Sequence, residues 1–119
     1  MSYVDGYLLV IPKKNLPAYK RIAMKASKIF REHGAIDYRE CAADDLNVKF
    51  GMPFGKLLKV TKSETVIFAW VIFKTRAARD RSNAKIMKDP RLAAMMDPNA
   101  MPFDMKRMSC GGFKTIVHA

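Results

Sequence analysis

The chain has 119 residues, half of them hydrophobic, and 22 Lys plus Arg set against 11 Asp plus Glu give it a formal net charge of +11. That length and apolar content suit one domain with a single core over residues 1–119, and they exclude disorder. The longest apolar run, the eight residues Val66–Phe73, is far short of the roughly 20 that cross a bilayer, so no membrane partner is expected.

Tyr3–Ile11 is rich in aromatic and branched residues and stops at Pro12, which reads as a strand with apolar residues on both parities. Asn15 as N-cap and Pro17 in the first turn open an amphipathic helix. Its apolar face recurs at three-to-four spacing through Leu16, Tyr19, Ile22, Ala23, Ala26, Ile29 and Phe30, and Gly34 ends it. Ala35–Ala43 reads as a mixed, edge-type strand with Ile36, Tyr38 and Glu40 on one parity. Residues 44–64, holding Gly51, Pro53 and Gly55, read as a long loop with an extra turn or hairpin. Thr65–Phe73 is a strand whose unbroken apolar run, VIFAWVIF from Val66, requires cover on both faces. Thr75 caps a second helix, RAARDRSNAKIMK. Asp89 and Pro90 open a short third one that Asp97 and Pro98 close, and Lys106–His118 is a last strand with a bulge at Gly111 and Gly112.

Strand, helix, strand, strand, helix, strand is the α+β, ferredoxin-like βαββαβ order, with a four-stranded antiparallel sheet and both main helices on one face. The first and third strands take the middle of such a sheet, and these two are apolar on both parities. Their uncovered side would expose more apolar surface than a soluble monomer usually tolerates. The expected partner is therefore the protein itself, in a homodimer that joins the two open sheet faces.

Four stretches, YVDG (Tyr3–Gly6), EHGA (Glu32–Ala35), RDRSNAKIMKDPR (Arg79–Arg91) and MMDPNAMPFDMKRMSCGGF (Met95–Phe113), resemble the YbaA-like family of bacterial proteins. The likeness runs over nearly the whole chain and is weakest over residues 44–64. It implies membership of the dimeric α+β barrel superfamily and hence a homodimer, and it implies no established activity.

The chain holds no GxSxG, Walker loop, GxGxxG, HExxH or paired CxxC, so the common motif routes to hydrolase, nucleotide or zinc chemistry are closed, and neither a cofactor nor a metal is expected. Whether the protein is an enzyme is left open. His33, at a helix end, reads as a capping or dipole group, and His118 as solvated. Cys41 and Cys110 read as reduced, buried thiols. With no basic segment leading into an apolar stretch at the first residues, the expected location is the cytoplasm.

Three functions follow as candidates. The first is a small-molecule site in the barrel interior, lined by Asp5, Tyr7 and Glu40, by Trp70 on the third strand and by Arg107 at the start of the fourth. Carboxylates held near aromatic surface are costly unless paired, and such groups suit proton transfer. The plainer reading pairs Asp5 with Arg39 or Arg107, packs Tyr7 and Trp70 into the dimer interface and leaves Glu40 solvated. The second is RNA or other polyanion binding through basic helix faces at Arg21, Lys25, Lys28, Arg76, Arg79 and Lys85. VIFAWVIF lacks the spaced aromatics of an RNA-recognition motif, so specific nucleic-acid readout is not expected. The third is a non-enzymatic interaction protein that uses Met95, Met96, Met101, Met105 and Met108 as an adaptable apolar surface.

Overall fold

Successive side chains of a strand point to opposite faces, so the strand register decides which residues of this chain can meet. In a computed structural model, described over residues 1–97 and 99–119, β1 (Tyr3–Pro12) pairs antiparallel with β3 (Glu64–Phe73) along its whole length. The outer strands are β2 (Asp37–Ala42) and β4 (Ser109–Lys114), giving the order β2-β3-β1-β4. The two strands apolar on both parities are thus the central pair. Helices α1 (Leu16–Glu32) and α3 (Arg76–Met87) lie on one face of the sheet, and the short α2 (Phe54–Leu57) and α4 (Pro90–Met95) fall in the connections.

The core forms where α1 meets the central strands. Leu9, Ile11, Ile67 and Ala69 pack around Tyr19, and a second cluster joins Ala35, Val71 and Phe73. Full burial of a side chain such as Phe73 or Ile11 contributes about 2–3 kcal/mol each, so these contacts fix the helices to this side.

Local signals explain most boundaries. The Thr75 hydroxyl accepts from the Ala78 amide at 3.0 Å and the Asp89 carboxylate from the Arg91 amide at 2.9 Å, so both expected caps form. Gly34 has φ +118° behind α1, with the Ser82 hydroxyl of α3 where a Cβ would stand, 2.7 Å away. Asn15 does not cap α1. Its amide instead donates to the Pro102 carbonyl at 2.8 Å and ties the 101–108 segment to the start of the helix.

The last strand is shorter than its composition suggests, because a 3₁₀ turn at Met105–Arg107 precedes it and pairing ends at Lys114. No bulge occurs at the two glycines. Gly111 and Gly112 pair in register with Gly6 and Asp5, and a Cβ at Gly112 would stand 2.5 Å from the Tyr3 hydroxyl, so any larger residue there must displace the Tyr3 ring. Both thiols are exposed in the chain, Cys41 on one edge strand and Cys110 on the other, contrary to the burial expected of them. Pro98, read as part of the stop behind α4, lies outside the described residues.

Candidate functional site

The five residues grouped from the sequence fall in three places. Asp5, Tyr7 and Glu40 face the helices, Trp70 faces the opposite side, and Arg107 sits at one end of the sheet. The register enforces this: Trp70 stands opposite Gly6 on β1 and Arg39 on β2, whereas Tyr7 and Glu40 both stand opposite Ala69. The parity that places Tyr7 under the helices therefore sends Trp70 to the open face.

Arg107 ties two segments together. Its guanidinium binds the Glu64 carboxylate at 2.6 Å and the Leu58 carbonyl at 2.8 Å, closing the 44–64 loop onto the 101–108 segment. The Thr61 amide, followed by Arg107, holds the Glu64 carboxyl below its ordinary range.

Asp5 is buried and pairs with Arg79 at 2.8 Å, rather than with the Arg39 or Arg107 expected from the sequence, and it also faces the Asn83 amide at 3.5 Å. The Arg79 guanidinium lies 4.8 Å from the centre of the Tyr3 ring, and its side chain is only 18 % exposed. Arg79 is therefore removed from the basic surface to which the sequence assigned it. Arg76 reaches toward Asp80. Arg21, Lys25, Lys28 and Lys85 are exposed and make no ion pair among the described residues.

His33 binds Asp89 at 2.8 Å, and Arg91 joins both Asp89 and Glu32. Hydrogen bonds from Arg91 and then His33 hold the Asp89 carboxyl well below the usual carboxylate range. The cluster ties the C-terminal end of α1 to the start of α4 and positions the segment that follows.

Between the sheet and the helices lies a pocket of about 310 Å³, open to solvent on the side where Met87, Met96 and Met105 are exposed. Its walls come from β1, β2, β3, α1 and α3, with α4 and residues 101–108 across them. Five of the nine methionines, Met87, Met96, Met101, Met105 and Met108, line it, so the residues that suggested a contact surface serve largely as a wall. At one side the apolar lining gives way to Tyr7, Tyr19, Tyr38 and Glu40. The Tyr38 hydroxyl donates to Glu40 Oε2 at 2.7 Å, and the Tyr19 hydroxyl donates to Oε1. Glu40, half-buried on the edge strand β2, therefore has two phenol partners. Two T-shaped ring pairs, Tyr19–Phe103 and Phe30–Tyr38, hold the phenols in place at centroid separations of 5.6 and 5.4 Å.

Burial pushes the Tyr7 phenol up to about 12, with the Asp5 charge adding to the effect. Burial, and next the bond to Glu40, raises Tyr19, while burial and then the Glu40 charge raise Tyr38. At neutral pH all three phenols hold their protons, and Tyr19 and Tyr38 act as donors to Glu40. Tyr19 and Tyr38 were absent from the sequence-based set. Tyr19 reads there as core, and only the packing of α1 over the face that carries Glu40 reveals the bond; Tyr38 shares the parity of Glu40, a signal that could have found it.

The opposite face is different in character. Phe54, Phe68 and Trp70 form a chain of rings with centroid separations of 6.2 and 5.6 Å, and Phe68 and Phe113 are 44 % and 62 % exposed. Phe68, Trp70 and Phe113, with Val4 and Leu8, bound a shallow, apolar groove of about 570 Å³.

A family model described as a protein of unknown function, DUF1428, matches residues 2–105. The chain is 38% identical over 117 residues to the uncharacterised protein YbaA of Escherichia coli K12, and the match covers 98% of each. A dimeric ferredoxin-like protein from an uncultured marine organism has a similar fold, with TM-score 0.60, 7% identity and complete coverage of both chains. A variant of SnoaB, a cofactor-independent oxygenase from Streptomyces nogalater, superposes with TM-score 0.58 and 11% identity over 98% of this chain and 95% of its own. No helix among the described residues is long and apolar enough to cross a membrane.

Proposed function

The chain belongs to the DUF1428 family, and from that premise we propose that it binds a small, mainly apolar molecule in the cavity between its sheet and helices, with the ligand's polar end at Glu40. The observation that carries this reading is the cavity itself. A space of about 310 Å³ lined by flexible methionines and aromatic rings, and ending on a fixed group of phenols and one carboxylate, has the make-up of a ligand pocket. The oxygenase of the same fold is a parallel for small-molecule work on this scaffold, though fold alone does not assign an activity.

The test uses the methionine methyl groups as reporters. With ¹³C-methyl methionine, millimolar 2-phenylethanol or indole is expected to shift the Met87, Met96, Met101, Met105 and Met108 signals. Ala23→Trp, which fills the space from α1, is expected to suppress those shifts. If no apolar probe moves these methyls in the unsubstituted protein, the reading is wrong.

The protein works as a homodimer joined through the open sheet faces. Support comes from the exposed rings of Phe68 and Phe113 at the groove and from the dimeric state of the marine ferredoxin-like protein. Sedimentation as a single subunit at micromolar concentration would remove this assignment. Its place is the cytoplasm, where two exposed thiols without a disulfide are at home. Polyanion binding through Arg21, Lys25, Lys28 and Lys85 has less support, because two of the six residues that motivated it are turned to acidic neighbours.

A further inference from the structure

The charge inside the cavity is opposite to the charge of the protein. In a chain of net charge +11, the described lining includes no lysine, arginine or histidine, and its single charged residue is Glu40. The nearby cation, Arg79, is held outside by Asp5 and Asp80 at 2.8 Å each. Both Glu40 oxygens accept hydrogen bonds from phenols, and Tyr7 and Phe30 line the same pocket. The donors that meet half-buried Glu40 are neutral, so its carboxylate has no counter-ion in the described lining, and a cation entering the pocket would supply one. Aromatic side chains lining a pocket that holds one carboxylate suit an ammonium ion, because the ring quadrupole and the carboxylate attract the same cation.

We propose that the cavity selects an apolar organic cation, a small aryl- or alkyl-amine, whose ammonium sits against Glu40 in the pocket lined by Tyr7, Tyr19, Tyr38 and Phe30, and that it rejects organic anions despite the protein's positive surface. This deepens the small-molecule reading and rests on it. The surface lysines do not reverse the preference. They are solvated and lie in salt water, where charges beyond about 10 Å are largely screened, whereas Glu40 acts across a few ångströms on whatever enters the pocket. Anions have no counter-charge in the lining and would leave two carboxylates facing one another.

Three probes of similar shape decide the matter: 2-phenylethylammonium, 2-phenylethanol and 3-phenylpropionate, titrated into the unsubstituted protein while the cavity methionine methyls are followed. The ammonium is expected to bind at least tenfold more tightly than the alcohol, and the carboxylate to produce no shift. Glu40→Gln, verified as folded by its amide spectrum, is expected to reduce the ammonium to the level of the alcohol. If the alcohol or the carboxylate binds as well as the ammonium, the charge selection is refuted while the cavity reading stands. If none of the three moves the methyls, both fall. The probe series needs no substitution, so it decides between these outcomes even where the Glu40 variant misfolds.

Discussion

The two faces of one sheet have been given different chemistry by the same strands. Under the helices, Asp5, Tyr7 and Glu40 alternate with buried aliphatics, and the two carboxylates have short-range partners in Arg79, Tyr19 and Tyr38. On the other side Val4, Leu8, Phe68 and Trp70 present an apolar surface with no carboxylate at its centre. Burial of polar groups is tolerated where partners can be built around them, and an apolar surface is tolerated where something else covers it. The helix side is thus suited to recognising a ligand, and the open side to recognising another protein surface.

Substitutions that affect one face and spare the other sharpen this contrast. Phe68→Glu places a charge at the middle of the open groove and is expected to weaken self-association at least hundredfold, about 3 kcal/mol. Sedimentation would then give half the mass of the unsubstituted protein, with the cavity methionine spectrum unchanged. A retained dimer would mean that a different surface joins the subunits. On the helix side, Arg79→Met strands the Asp5 carboxylate and is expected to cost about 3 kcal/mol in urea unfolding. The double variant with Asp5→Leu should recover much of that loss, and self-association should survive both.

A smaller effect comes from Tyr38→Phe, which removes one donor to Glu40 and is expected to cost about 1 kcal/mol while halving or worse the affinity of cavity probes. Ionisation of the phenols gives the mildest test of the buried face. With the Tyr7 phenol raised to about 12 and Tyr19 and Tyr38 also raised, unfolded chains lose these protons near pH 10 while folded ones keep them. The three phenols therefore contribute stability that is whole below about pH 10 and declines as pH rises toward and beyond 12. Tyrosinate absorbance should lag behind that of the urea-unfolded protein in this interval. Coincident curves would mean the cluster is open to water.

Much of the fold is legible in the residues. The continuous apolar run at Val66–Phe73 requires a strand covered twice, the helix caps at Thr75 and Asp89 are local hydrogen-bonding chemistry, and the element order leaves few ways to build the sheet. The candidate site was only half legible. Parity along β2 put Tyr38 and Glu40 on one side, yet Trp70 was grouped with Tyr7 because both lie on central strands, and the register that separates them depends on how β1 aligns with β3. Asn15 resembled a cap because the rule is local, and the Pro102 carbonyl that claims it is 87 residues away.

By itself the amino-acid order determined the elements, the central placing of the two all-apolar strands and the need for cover on both sides of them, since periodicity and hydrophobicity act over a few residues. Only the tertiary structure decided that Arg79 neutralises Asp5, that Tyr19 and Tyr38 converge on Glu40, and that a cavity of about 310 Å³ opens beside them. Those facts depend on contacts between side chains far apart in sequence, and the packing of α1 and α3 against the sheet selects which of the many chemically suitable pairs come within reach.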